Sequence, residues 1–394
     1  MIDYREIDFS IEGQDQLLQD LLQEVKELQL DEVDIKKIAP PAEYITSDQL
    51  QSIYKEIVRG SDEYAIFDVR SENEYLESKL PFSINVPFLD NLERHKVGLI
   101  YKRESHKLAI SYAYSLVEKK QSYFLEQYQK FSKDKKIIVY CWRGGARSRY
   151  VCNFLLNNGF TNVLQVKGGQ KYFRKIVHNR LYENDTKIVS LSGKTGCGKT
   201  EILEHIIENY PAIPVLDLEG AANHASSVFG EVRFLGMNQK PIKSQQIFEN
   251  RLYINLLKFD SKVYLSEKES SKIGDLLLPP AILKGLAENI HIEVDSDIDN
   301  RVERIIREYL KTDELIQESI NRLQFLRRRL GSEKVDNLEK MLKDRRLEEF
   351  SKEMLINYYD HVYKRTSNTP VAFIVHQNTP ATAREIIDIF QKNL

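Results

Sequence analysis

Two short segments of this chain carry residue types and spacings suited to group transfer. The first is Tyr140-Cys141-Trp142-Arg143-Gly144-Gly145-Ala146-Arg147-Ser148, which sets a thiol at the end of an apolar run. The glycines allow successive N–H groups to point inward as an anion nest. A helix expected to start near Arg147-Ser148 adds the positive end of its dipole. Arg143 and Arg147 add formal charge, so the surroundings favour thiolate over thiol. Cys141 is therefore the candidate nucleophile, with Arg143 and Arg147 as its catalytic partners. Cys152 lies mid-helix without such neighbours and is assigned to the core.

The second segment, Gly193-Lys194-Thr195-Gly196-Cys197-Gly198-Lys199-Thr200, satisfies G-x-x-x-x-G-K-[ST] in full. In a P-loop the amides around Gly193, Gly196 and Gly198 cradle phosphate, Lys199 supplies charge, and Thr200 can bind Mg²⁺. Lys194 and Thr195 are further contacts, and Cys197 occupies a variable position. An acidic partner belongs at the end of a neighbouring strand. Asp217 and Glu267 are the candidates, and each can equally be a cap or turn carboxylate. Glu219 and His224 are further candidate ligand or Mg²⁺ contacts. No tightly bound cofactor is expected.

Elements must hold these loops in place. Ala65–Val69, Lys135–Tyr140 and Val163–Val166 read as strands, the second running straight into Cys141, and Ser148–Asn157 has helical spacing. Lys187–Ser192 reads as the strand entering the P-loop, followed by a helix over Glu201–Glu208. Further strands are expected at Pro214–Asp217, Lys262–Ser266, Asn289–Val294 and Val371–Val375. Such alternation implies mainly parallel sheets with sites at strand C-terminal ends. Leu17, Leu18, Leu21, Leu22, Val25 and Leu28 repeat at helical spacing until Pro40-Pro41. The expected organisation is an N-terminal helical extension over 1–45 and an α/β domain over 46–182. A P-loop α/β domain follows over 183–300, then a helical, basic region over 301–394 that closes on it.

The chain has 394 residues, 42% of them hydrophobic, which suits two or three packed domains. Its formal net charge of -2 conceals segregation. Between Lys135 and Tyr182 there is no Asp or Glu but ten Lys and Arg. A second run, Arg322 to Arg346, holds nine Lys and Arg against four Asp and Glu. This distribution suits an anionic partner, and two solvated helix faces are the alternative. Three cysteines are too few for a disulfide framework or a zinc site. No apolar run reaches membrane-spanning length, and the first residues do not read as a signal peptide. A cytoplasmic location is expected.

Asp68-Val69-Arg70-Ser71-x-x-Glu74-Tyr75, followed by Leu80-Pro81-x-Ser83-Ile84-Asn85-Val86-Pro87, resembles the D-x-R-x-x-x-E-[FY] and I-P-G-A-x-N-x-P segments of the rhodanese family. Phe82 and Ser83 depart from the usual Gly and Ala, which should alter a turn rather than the chemistry. The resemblance implies that Cys141 carries a persulfide or perselenide, or attacks a chalcogen donor. Five residues separate Cys141 from Arg147, one more than in many rhodaneses and equal to the spacing of cysteine phosphatases. From the loop alone, a phosphatase reading stays open.

The two domains in this order resemble the tRNA 2-selenouridine synthase family of bacterial tRNA-modifying enzymes. The strings that carry this are the two loops, Leu216-Asp217-Leu218-Glu219-Gly220-Ala221-Ala222-Asn223-His224, Ser227-Val228-Phe229-Gly230, Phe248-Glu249-Asn250, Glu267-x-Glu269-Ser270-x-Lys272-Ile273-Gly274, Arg328-Arg329-Leu330-Gly331 and Tyr358-Tyr359-Asp360. The likeness covers roughly residues 50–365. It implies a transferase that replaces the 2-sulfur of wobble 2-thiouridine with selenium from selenophosphate, itself supplied by a selenophosphate synthase. It also implies S-geranylation from geranyl diphosphate as an intermediate step, with the P-loop holding the diphosphate and Cys141 handling the selenium donor. Phe229, Phe248 and Tyr253 are either lining for a geranyl chain or core. Arg327, Arg328, Arg329, Lys343, Arg345 and Arg346 are the candidate tRNA-binding residues, tracking phosphates. Tyr358 and Tyr359 are candidates for stacking on the displaced base. Two competing readings are a P-loop kinase or NTPase with a rhodanese-like regulatory module, and a non-catalytic tRNA-binding protein.

Overall fold

The computed structural model describes residues 11–30, 35–131, 134–259, 261–288, 290–362 and 369–393. The chain divides into two compact units between Ile176 and Val177. Among the described residues no helix is long and apolar enough to cross a membrane.

The first unit is built on β1 (Tyr44–Ile45), β2 (Tyr64–Asp68), β3 (Ser83–Asn85), β4 (Lys136–Tyr140) and β5 (Val163–Val166), ordered β1-β5-β4-β2-β3. All pairings are parallel. In β2 and β4 every residue after the first is buried, as strands covered on both faces require. Phe67, Ile137, Val139, Val151 and Leu155 lie in one core with Phe124 and Tyr128. The last two come from the third of three helices inserted between β3 and β4, Asn91–Arg103, His106–Glu118 and Gln121–Gln129. The helix Ile11–Glu27 buries Leu21 and Val25 against Leu99, Ile100, Ala109 and Tyr112 of that insertion. Each such burial is worth about 1.5–3 kcal/mol, enough to dock the amphipathic stripe.

The second unit carries β6 (Lys187–Ser192), β7 (Val263–Glu267), the short hairpin β8 (Lys272–Ile273) and β9 (Leu276–Leu277), β10 (His291–Asp295) and β11 (Ala372–Val375). Its main sheet has the order β11-β10-β6-β7 and is parallel throughout. The strand expected at Pro214–Asp217 is reduced to one bridge, Val215 to Leu265. The reason is local: Asp217 ends the extended run by capping the helix Leu218–Ala222. The region after Asp295 is helical as expected, from Ile298–Tyr309 through Leu347–Met354. It has its own core, in which Leu315, Ile320, Leu338, Leu342 and Phe350 pack with Phe229 and Val232.

Candidate functional sites

β4 delivers Cys141 at its C-terminal end, 3% exposed. Its Sγ accepts from the Gly145 N–H and the Ser148 hydroxyl, both at 3.2 Å. Gln165 of β5 donates to the Ser148 hydroxyl oxygen at 2.7 Å and fixes that side chain. The loop closes against a second glycine pair. A Cβ on Gly144, at φ +62°, would lie 2.5 Å from the Val166 carbonyl, and one on Gly169, at φ +56°, would lie 2.1 Å from the Cys141 carbonyl. Gln170 N–H donates to the Cys141 carbonyl at 3.0 Å and Lys171 N–H to that of Trp142 at 2.9 Å. Gln165, Gly168 and Gly169 do not stand out in the sequence as site residues; for the two glycines the signal is the Lys167-Gly168-Gly169 turn directly after a strand.

The two arginines diverge. Arg147 Nη1 donates to Glu74 at 3.0 Å, and Arg94 pairs with the same carboxylate at 2.9 Å. Burial alone would raise the Glu74 carboxyl, but Arg147 and Arg94 hold it below its ordinary range. Arg143 is exposed and makes no ion pair among the described residues. Asp68 and Arg70 form a buried pair at 2.6 Å, and Arg70 also donates to the Ser78 carbonyl, so that part of the motif holds the loop leading to β3. Cys152 is core as expected, its thiol pushed up to about 12 by burial and by Cys141 nearby.

β6 feeds the P-loop. Gly193, Gly196 and Gly198 all have positive φ, and a Cβ on Gly193 would lie 2.0 Å from the Val294 carbonyl. Only glycine permits that approach. Lys199 donates to the Gly193 and Lys194 carbonyls at 2.9 and 3.3 Å, folding back across the loop. Burial opposes its charge, but Cys197 and the carboxylates of Glu267 and Glu269 keep its pKa above the ordinary lysine value.

Of the two acidic candidates, Glu267 takes the position. It closes β7 beside the P-loop strand, and Thr200 Oγ1 donates to its Oε2 at 3.2 Å. Asp217 is committed elsewhere, accepting from Gly220 N–H at 2.8 Å as a helix cap. Glu219, Glu267 and Glu269 bring carboxylate oxygens within 4.8 Å of one another. Burial raises all three, and repulsion from neighbouring carboxylates raises Glu219 and Glu267 further, Glu267 to about 8. Buried Arg233 offsets part of this, lying 3.9 Å from Glu219. Glu267 Oε1 is buried and has no hydrogen-bond partner among the described residues. An orphaned oxygen among three carboxylates and a P-loop threonine fits a hard divalent cation such as Mg²⁺. Thr200, Glu267, Glu269 and Glu219 are the residues that would hold it.

His224 lies apart from the cleft lining. Its ring packs on Gly230 and Gly274, where a Cβ would meet it at 2.5 and 3.1 Å. Burial lowers its pKa, which favours the neutral ring. Arg301, Arg304 and Asp360 were missed by sequence reading. Arg301 donates to the Thr195 carbonyl at 2.9 Å and to Asp360 at 2.6 Å, while Lys194 lies 3.6 Å from Asp360. Arg304 bonds Glu201 at 2.9 Å and the Gly196 carbonyl at 3.3 Å. These side chains brace the loop from over a hundred residues away, and no local pattern marks them.

The cleft over the P-loop has a volume of about 820 Å³, within the range of small-molecule sites. Its lining combines the phosphate loop and carboxylates with Val228, Ile305, Tyr309, Tyr358, Tyr359 and Val362. Phe229 lines a small adjoining apolar space with Phe350 and Met354, whereas Phe248 and Tyr253 are core. The basic run is divided. Arg329 turns to the cleft and donates to the Tyr358 hydroxyl at 3.4 Å. Arg327 pairs with Asp336, Lys343 with Glu339, Arg345 with Asp313 and Arg346 with Glu349. Exposed pairs of this kind are worth about 0–1 kcal/mol, so phosphate can displace them. Arg328 is exposed and makes no ion pair among the described residues.

Comparison with known proteins matches two domain families along this chain. Residues 186–393 match the family model described as the tRNA 2-selenouridine synthase AAA domain, and residues 51–175 match the rhodanese-like domain. A tRNA 2-selenouridine synthase of Nitrosomonas europaea is 32% identical over 255 residues, 63% of this chain and 64% of the relative. That of Nitrosomonas eutropha is 32% identical over 68% of this chain and 66% of the relative. That of Hydrogenovibrio crunogenus is 29% identical over 76% of this chain and 88% of the relative. The matched stretch thus spans a little under two thirds of the two Nitrosomonas proteins.

Proposed function

The chain belongs to the tRNA 2-selenouridine synthase family, and on that premise we propose that it is a transferase exchanging the 2-sulfur of a wobble 2-thiouridine in tRNA for selenium. Selenophosphate is the proposed donor, made by a selenophosphate synthase, and the cytoplasm the proposed location. The exchange runs through an S-geranylated base formed from geranyl diphosphate.

One observation carries the reading: a phosphate cradle shares its cleft with an apolar and aromatic wall, the pairing that a prenyl diphosphate needs. In the first step the thiocarbonyl sulfur attacks C1 of the geranyl group, an S–C bond forms, and the C–O bond to diphosphate breaks. The loop amides and Lys199 receive the diphosphate charge. Mg²⁺, when bound, would share that charge. In the second step the selenium of selenophosphate adds to C2 and geranyl thiol leaves, a far better leaving group than the original thiocarbonyl sulfur; water then cleaves the Se–P bond, releasing phosphate and 2-selenouridine. Cys141, in its nest with Arg143 at the rim, handles the selenium donor. Arg328, Arg329 and the displaceable pairs of Arg327, Lys343, Arg345 and Arg346 supply contacts to tRNA phosphates.

Incubating the protein with 2-thiouridine tRNA, geranyl diphosphate and selenophosphate, then analysing wobble nucleosides by mass spectrometry, should show 2-selenouridine. Unchanged 2-thiouridine would overturn the proposal. The second reading, a P-loop kinase or NTPase, is favoured by the Thr200–Glu267 contact. Nucleotide hydrolysis without tRNA would support it.

A further inference from the structure

We propose that the unit bearing Cys141 holds single-stranded RNA on a stacking surface made of Trp142 and Tyr172 at the rim of the thiol loop. The inference rests on the tRNA reading above and adds which residues grip the base.

Trp142 follows the nucleophile directly and is 38% exposed, while Tyr172 is 43% exposed. Two chain segments meet here. Lys171 N–H donates to the Trp142 carbonyl, placing the residue before Tyr172 on the thiol loop. Tyr172 Cβ sits where a Cβ on Gly168 would meet it at 2.6 Å, so this ring leaves the chain at the second glycine pair.

The charge around the rings fits one class of partner. The sequence from Lys135 to Tyr182 contains no acid. Arg143, Lys171 and Lys175 are exposed and make no ion pair among the described residues. Lys167 stands 4.7 Å over the ring of Tyr44, which is itself 50% exposed. Aromatic faces stack on any unpaired base while cations follow the phosphates. A neutral or basic protein partner would leave those cations uncompensated, so the surface favours a polyanion with exposed bases.

Trp142 is the only tryptophan in the chain, so intrinsic fluorescence reports this one position. The full chain is titrated with an unmodified anticodon stem-loop RNA and with a blunt duplex of equal length, binding being followed separately by anisotropy of labelled RNA. The stem-loop should quench Trp142 emission at least twofold and the duplex should not. Trp142→Ala should weaken stem-loop binding about tenfold, from a stacking contribution of about 1–3 kcal/mol per base, and Trp142→Phe should restore most of it. Stem-loop binding with unchanged emission and undiminished Trp142→Ala affinity overturns the stacking surface and leaves the tRNA reading standing. Equal quenching by the duplex overturns single-strand recognition. Absence of stem-loop binding in the anisotropy overturns both proposals.

Discussion

Phe82 illustrates how one residue can matter beyond its motif. The departure from glycine in the Leu80-Pro81-Phe82 turn was expected to alter a turn rather than chemistry, and the structure shows the form of the alteration, a left-handed φ of +60°. A non-glycine residue there costs about 1–2 kcal/mol. Part of that returns as an entropy penalty when glycine is introduced. Phe82→Gly should therefore stabilise the protein by about 1 kcal/mol in chemical denaturation, since little packing is lost beyond the Tyr54 contact. A destabilised variant would show that the ring contributes more to packing than its exposure suggests. At this scale the sequence already identified Cys141, Lys199 and Thr200. It did not tell Arg143 from Arg147, because nothing in the spacing says that Glu74 claims one of them.

At the scale of elements, each loop is local and its chemical partner is not. A strand, a glycine turn and a helix N-terminus are contiguous, so both anion cradles were legible. The carboxylates were legible only as candidates. The Glu267-x-Glu269 pair follows β7, and Glu219 arrives on the helix Leu218–Ala222. That convergence makes the second unit sensitive to pH. The folded-state pKa of Glu267 lies above its unfolded value, so in the intervening window the folded state binds more protons than the unfolded one. Stability must then fall as pH rises from about 4.5 towards about 8. With metal chelated, the melting temperature should drop across that window, Mg²⁺ should restore it, and Glu267→Gln should flatten the dependence. A melting temperature independent of pH and Mg²⁺ would refute the cation site.

For the whole molecule, the two units should fail differently. Lys199→Ala should leave 2-thiouridine unmodified, because geranylation depends on the P-loop. Cys141→Ala should let the S-geranylated nucleoside accumulate, because only the selenium step is lost. Mass spectrometry of wobble nucleosides separates the cases, and accumulation of the geranylated base in Lys199→Ala would reverse the assignment of roles. Most central strands, the helical C-terminal region and the apolar stripe of the first helix follow from periodicity that the sequence carries openly, whereas the order of the strands does not. The two loops are legible as well, because an amide cradle needs only glycines at the right spacing between a strand and a helix. The tertiary structure alone decided which charges serve those loops. It seated Gly169 against Cys141, turned Arg147 to Glu74, chose Glu267 over Asp217, and brought Arg301 and Arg304 under the P-loop. The role of a charge depends on its burial and on the charges facing it, and both are supplied by segments distant in the chain.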